Sequence, residues 1–355
     1  MRIGIVAPPW FPIPPSAYGG IESFIDTLAR ELVAAGHDVM LAAAGDSTCP
    51  VPMLEGFPPS DPAVIGVTTH ELRHLIRAYE GLEGADVVVD NTLAGPLVAR
   101  SMRSGRCVTI AHGPFEPIVK DLYGAASPDM AFVAISHHQA STAGDIPITR
   151  VIHHGIHVEE IVQGPGGDSA CFVGRMHPSK GLPEAIAAAE RAGIPLRIGA
   201  KMHEPAEEEY FNEVVRPLLG SNAEYLGELS ADEKCELMGE SCALVNPIQW
   251  DEPFGLVMIE SMATGTPVVA TNRGSVPEII DDGRTGFIRD DIDGMAEALG
   301  RVSELDRDSC RSSVVERFTA RRMTADYISL FTDMVDQRWG QSVTPTATLP
   351  ERQPA

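Results

Sequence analysis

The chain has 355 residues, a formal net charge of −23, 44% hydrophobic residues and a mean hydropathy of −0.01. That length suits two domains, each able to bury its own core, and the hydropathy is that of an ordinary soluble protein. The acidic balance argues against nucleic acid as a partner and against tight membrane docking, and no apolar run approaches the roughly 20 residues a membrane span needs.

Met1 leads into the strand-like run RIGIVA (Arg2–Ala7) without the layout of a signal peptide. A proline-rich loop follows, then an amphipathic helix is predicted over Ile21–Ala35, stopping at Gly36. The runs DVMLAA, ADVVVD, CVTIA, AFVAIS and RVIH read as further short strands, spaced widely enough for crossover connections. The stretch QGPGGD (Gln163–Asp168) interrupts this pattern and reads as a hinge. The alternation then restarts with ACFVG, a helix over Pro183–Ala192, PLRIGA, a helix over Glu207–Leu218, AEYLG, a helix over Ala231–Glu240 and CALVNP. A helix over Leu256–Ala263, the strands PVVAT and TGFIR, and a last helix over Arg321–Gln337 complete the order. The Pro- and Thr-rich tail 342–355 reads as disordered. Alternation of this kind predicts an α/β protein of two facing Rossmann-like domains with parallel sheets. The expected boundaries are 1–162 joined by the closing helix 321–338, and 163–320. Ligands of such sheets bind beyond the carboxyl ends of the strands, which places the site in the interdomain cleft.

The six cysteines have neither CxxC nor His-paired metal spacing and several sit in apolar runs, so buried free thiols and a cytoplasmic location are expected. Of the 27 basic residues only four are lysines, which makes the setting of Lys180 more conspicuous.

Four places carry candidate chemistry. In the loop after the first strand, Tyr18-Gly19-Gly20 opens a helix, and paired glycines let backbone amides approach a ligand. Alone, such loop glycines are most often only turn glycines. His112 lies just past the strand CVTIA, where it can bond a sugar hydroxyl or handle a proton; a structural histidine is the plainer alternative. In Phe172–Gly181, Arg175 and Lys180 leave a loop beyond a strand end, where a guanidinium fork and an ammonium can flank a diphosphate. No GxxxxGK[ST] loop is present, which disfavours triphosphate hydrolysis. In Glu252–Glu260 two glutamates lie eight positions apart across a helix start whose free N–H groups suit phosphate or sugar oxygens. Together they suit the two ends of a nucleotide sugar, against the alternative of two ordinary solvated charges.

Taken together, YGGIE, TIAHG, VAISHHQ, VIHHGI, FVGRMHPSKG, YLGEL and WDEPFGLVMIESMATGTPVVATNRGSVPEII followed by DGRTGF resemble family 4 of the retaining glycosyltransferases, which have the GT-B fold. The resemblance runs from about residue 2 to 338 in the family's order, and the joint Glu-x7-Glu and GRxxxxKG matches make it specific. It implies that Arg175 and Lys180 bind the donor diphosphate and stabilise the leaving group. Glu260 would bind the ribose, and Glu252 the donor sugar, with the backbone amides of Phe254, Gly255 and Leu256. It further implies that Gly19 and Gly20 lie near the phosphates, that His112 touches the donor sugar, and that the base rests near Leu226 and Gly227 within Tyr225–Glu228.

The implied activity is metal-independent transfer of a hexose from a nucleotide-diphosphate sugar, UDP-glucose-like ahead of GDP-mannose, with no cofactor. No second carboxylate is placed as a nucleophile, and no DxD motif follows a strand of the first half. The acidic run Asp290–Asp293 reads as a helix cap. The acceptor is expected to be small and soluble, held by loops such as Ser47–Ser60 and Glu116–Met130. A nucleotide-sugar epimerase, a sugar phosphorylase or a non-catalytic nucleotide-sugar binder are the alternatives on this architecture. A dehydrogenase is disfavoured by the missing GxGxxG.

Overall fold

The computed structural model describes residues 1–15, 19–102, 106–126 and 130–336; Tyr18, Gln337 and the tail 342–355 lie outside them. The first half carries strands β1 (Arg2–Val6), β2 (Asp38–Ala42), β3 (Val87–Asp90), β4 (Arg106–Ala111), β5 (Ala131–Ala134) and β6 (Ile148–Val151). Between and after them come helices α1 (Gly20–Ala34), α2 (Thr68–Gly81), α3 (Gly95–Met102), α4 (Pro117–Ala126) and α5 (His137–Ser141). The second half carries β7 (Ala170–Arg175), β8 (Leu196–Lys201), β9 (Ala223–Gly227), β10 (Leu244–Asn246), β11 (Val268–Ala270) and β12 (Gly286–Ile288). Its helices are α6 (Leu182–Ala192), α7 (Pro205–Tyr210), α8 (Ala231–Gly239), α9 (Leu256–Ala263), α10 (Val276–Ile279), α11 (Ile292–Leu299) and α12 (Arg307–Arg317), and α13 (Ala320–Asp336) closes the described chain.

Among the described residues the strands form two six-stranded sheets, ordered β2-β1-β3-β4-β5-β6 and β12-β11-β10-β7-β8-β9, with parallel pairing throughout. Both are doubly wound, and both reverse direction at their first strands, β1 and β7. The loops after those strands therefore open into the crevice where such sheets take ligands. The strands read as continuous apolar runs because helices cover both faces, as in β3, where Val87 to Asp90 are all buried.

Two expectations are corrected. The predicted helix Glu207–Leu218 is α7, then one wide π turn (Phe211–Val215) and a 3-10 turn (Arg216–Leu218). Pro217 cannot donate an N–H to a regular helix, and the last turns regroup around it. The stretch Gln163–Asp168 is fastened to the second half rather than free to pivot. Gly164 N donates to Thr264 O (3.0 Å) and Gly166 N to Gly239 O (2.9 Å).

The two crossings of the chain between the halves meet at Gly155–Ile156. Ile156 N donates to Phe318 O (2.9 Å) and Ala320 N to Ile156 O (2.8 Å), so the outgoing and returning chain form a short parallel bridge. From there α13 packs back on α1: Met323, Tyr327, Leu330, Phe331 and Met334 recur at helical spacing and join Phe24, Ile25 and Leu28 in one core. All six cysteines are free, with Cys49, Cys107, Cys171 and Cys310 buried. Among the described residues no helix is long and apolar enough to cross a membrane.

Candidate active site

The loop from β10 to α9 is held from behind. Ser275 N donates to Glu252 O (3.0 Å) and Ser275 Oγ to Phe254 O (2.5 Å). Gly274 makes this approach feasible: its φ is +57°, and a Cβ there would run into the amide and carbonyl of Glu252. Gly274→Ala is expected to cost about 2–3 kcal/mol, combining left-handed strain with a backbone clash. Urea unfolding checks it, and an unchanged midpoint would contradict the packing. Gly255, at φ +85°, then turns the chain into α9, whose first N–H groups face the cleft.

Lys180 ends a 3-10 turn (Pro178–Lys180) after β7, and Gln249 N donates to Ser179 O (2.8 Å), tying that turn to the β10 loop. Lys180 Nζ lies 2.5 Å from Glu252 Oε2, which also accepts from Trp250 Nε1 at 2.9 Å. The lysine and glutamate side chains keep 16% and 14% of their surface exposed, so the pair is largely shielded from water. Its attraction is correspondingly stronger than that of a surface pair. Lys180 also sits over the Trp250 ring, 5.4 Å from its centroid.

Glu260, one turn into α9, accepts from Lys234 Nζ of α8 at 2.7 Å. Arg175 has a separate partner set, its Nε 3.1 Å from Glu207 Oε1 and its Nη1 3.8 Å from Glu204 Oε1. Arg175 and Lys180 thus leave the same rim but engage different carboxylates. Lys201, the neighbour of Arg175 across β7–β8, is buried and lies 5.0 Å from the centroid of Phe11, a residue of the first half.

Lys201, Lys234, Trp250 and Glu207 were not singled out in the sequence. The signal was there: three of the chain's four lysines (Lys180, Lys201, Lys234) stand on this one rim. A narrow cavity of about 20 Å³ opens between β7, β8 and α8, lined by residues that include Gly174, Lys201, Glu228 and Lys234. Glu228 and Leu229 line it, one step beyond the predicted Leu226 and Gly227. Leu226 packs against the core, and Gly227 (φ +90°) ends β9 just past a register shift against β8.

Across the cleft, Gly19 precedes α1 in extended backbone, and Gly20 begins the helix. A Cβ on Gly20 would lie 3.6 Å from Leu256 Cδ1, so the first turns of α1 and α9 face one another at close range. Glu22, in the first turn of α1, is buried, and that burial pushes its carboxyl up in pKa. His112 Nε2 is 2.9 Å from Asn91 Oδ1, while Asn91 Nδ2 donates to Val6 O (3.0 Å). With the amide nitrogen so engaged, Asn91 offers its oxygen, and the imidazole carries its proton on Nε2. Burial lowers the His112 pKa to about 3, so the ring is neutral at working pH and keeps Nδ1 as an acceptor.

Two contacts latch the halves. Phe254 is buried rather than turned toward a ligand, and its ring meets His153, His154 and Phe318 at 5.8, 5.1 and 6.0 Å. Glu278 of α10 accepts from His137 N (2.8 Å), His138 N (2.6 Å) and His153 Nε2 (2.8 Å) of the first half. Burial acts to raise the Glu278 pKa, but these bonds outweigh it and hold it at about 2.

The model of the Glycosyl transferases group 1 family matches residues 162–313, and that of Glycosyltransferase Family 4 matches residues 18–160. The chain belongs to the family 4 glycosyltransferases. The phosphatidyl-myo-inositol mannosyltransferase of Mycolicibacterium smegmatis is 26% identical to this glycosyltransferase, over 90% of this chain and 89% of that one. Among solved structures, sucrose-phosphate synthase from Thermosynechococcus elongatus superposes with a TM-score of 0.78 at 18% identity, covering 95% of this chain and 99% of that one. Anabaena Alr3699/HepE, in complex with UDP and glucose, gives 0.76 at 17% identity, covering 94% and 100%. The glycosyltransferase fold is GT-B, two Rossmann-like domains with the cleft between them.

Proposed function

We propose that this glycosyltransferase moves a hexose from a nucleoside diphosphate sugar to an acceptor hydroxyl, with retention at the anomeric carbon and without a metal ion. The observation that carries the reading is the pairing at the start of α9, Lys180 with Glu252 and Lys234 with Glu260, facing the first turn of α1. A diphosphate competes with carboxylates for the same cations. Lys180 and Arg175 exchange their glutamate partners for donor phosphate oxygens, which frees Glu252 to accept from the sugar's hydroxyls. The amides of Phe254, Gly255 and Leu256 add donors with the favourable end of the helix dipole. Glu260 holds the ribose. His112 Nδ1 accepts from a sugar hydroxyl, its ring oriented by Asn91.

In the transfer step the bond from the anomeric carbon to the phosphate oxygen breaks, and negative charge grows on the departing nucleoside diphosphate. Fixed cations aimed at that charge lower the barrier by several kcal/mol in a water-poor cleft. The acceptor oxygen bonds the anomeric carbon on the same face, and its proton passes to the leaving phosphate oxygen. A UDP-glucose-like donor is favoured over GDP-mannose, a preference consistent with the UDP and glucose bound by the HepE structure. The M. smegmatis mannosyltransferase keeps a mannosyl donor in the comparison. The acceptor is proposed to be a small soluble molecule.

Thermal-shift titration with UDP, GDP, ADP and TDP and their sugar conjugates, with and without EDTA, tests the donor. A ligand of the folded state raises Tm with its concentration over Kd. Stabilisation by uridine nucleotides that EDTA leaves unchanged is the expected result; stabilisation by none of them would remove the donor site.

A further inference from the structure

A second cavity lies outside the donor rim. It measures about 340 Å³, within the range of about 300–1,000 Å³ that small-ligand sites occupy. Its walls are Pro9 and Trp10 after β1, Phe57, Pro58, Pro59, Asp61 and Val64 after β2, and one face of α2. Loops after strands form the ligand-binding end of such a sheet, and Phe11, next to Trp10, touches Lys201 of the donor half. The Trp10 wall of the cavity is thus one residue away from a contact with the donor half.

The α2 face is unusual for so acidic a chain. His70, Arg73, His74 and Arg77 follow one another at i, i+3, i+4 and i+7, so all four fall on one stripe, and all four line the cavity. Arg77 is braced, its Nη1 donating to Gly56 O and its guanidinium 5.8 Å from the centroid of Phe57. Arg73 makes no hydrogen bond or ion pair with the described residues, and Asp61 supplies a single carboxylate on the wall, its Oδ1 already accepting from Ala63 N (3.0 Å). His74 is 94% buried, and its Nε2 has no partner among the described residues. Burial lowers its pKa to about 4 against a backbone bond to Ala7 that raises it, so the ring is neutral, protonated toward Ala7, and offers Nε2 as an acceptor.

We propose that this cavity is the acceptor site and that the acceptor is a polyol carrying a phosphate ester. Two guanidinium groups one helical turn apart, with His70 beside them, match the oxygens of a phosphate. The buried Nε2 of His74 needs a donor, which a phosphate ester lacks and a hydroxyl supplies. Naming the ligand an acceptor rests on the transfer reaction proposed above; the anion site itself does not.

The test uses the full chain and matched acceptors, glycerol against glycerol 3-phosphate and myo-inositol against its 1-phosphate, plus vesicles of phosphatidylcholine with and without phosphatidylglycerol. Binding is read first without donor, by NMR perturbation and thermal shift, so a failure of the donor assignment cannot mimic a failure here. Binding of soluble phosphate esters assigns a free phosphorylated polyol; binding confined to phosphatidylglycerol vesicles assigns a lipid headgroup. Either keeps the anion site, and binding to neither overturns it. In turnover, the phosphorylated polyols are expected to exceed their neutral parents in kcat/KM by about tenfold or more. Arg73→Gln should bring that ratio close to one while UDP still raises Tm. Neutral parents used equally well, or an Arg73→Gln loss equal for both members of a pair, would overturn the assignment.

Discussion

Lys180→Ala is expected to lower kcat by about a hundredfold to a thousandfold, the usual cost of removing one fixed group aimed at developing charge. The side chain reaches the rim from the turn after β7, is packed over Trp250 and is held by Glu252, so little reorganisation stands between its resting position and a departing phosphate. Its removal leaves Glu252 with Trp250 Nε1 as a remaining donor in a site with little water. That part appears as lost stability, roughly 1–3 kcal/mol, and urea unfolding measures it apart from turnover. The expected signature is a modest fall in the unfolding midpoint with a far larger fall in single-turnover rate. Near-normal turnover would remove the leaving-group role.

Glu260→Ala should instead act on the donor's affinity, raising the donor KM by about tenfold to a hundredfold while kcat stays within a few-fold. That is the worth of one or two hydrogen bonds from a ribose to a carboxylate. Glu260 also carries Lys234, so the single substitution confounds two effects. A double-mutant cycle with Lys234→Ala separates them. If Glu260 holds the ribose, Lys234→Ala has a small effect and the double variant matches Glu260→Ala. An unchanged donor KM in Glu260→Ala would sink the ribose assignment.

The backbone was far more legible in the sequence than the site's internal wiring. Strands such as Val87–Asp90 and Val268–Ala270 are buried on both faces, so composition alone marks them. Leu256–Ala263 carried its own start signal in Pro253 and Gly255, and the helix has those bounds. What the chain did not disclose is which charge meets which. Lys180 and Glu252 are 72 positions apart and Arg175 and Glu207 are 32 apart, and such pairings depend on how loops from several strands converge. The cationic face of α2 escaped notice for a related reason. Its histidines and arginines resemble a solvated stripe until the loops after β1 and β2 are seen to fold over them.

The return of α13 to the first half has a consequence for biosynthesis. Phe24, Ile25 and Leu28 emerge early from the ribosome, yet Tyr327, Leu330 and Phe331, which cover them, are made some three hundred residues later. During all of that translation α1 has an apolar flank without its permanent cover, and at the usual 5–20 residues per second the interval is of the order of tens of seconds. The donor half, by contrast, draws its own core residues from one continuous stretch between Ala170 and Phe318, all of it made before α13. The nascent chain is therefore expected to complete its second half before its first, reversing the order in which the two are synthesised.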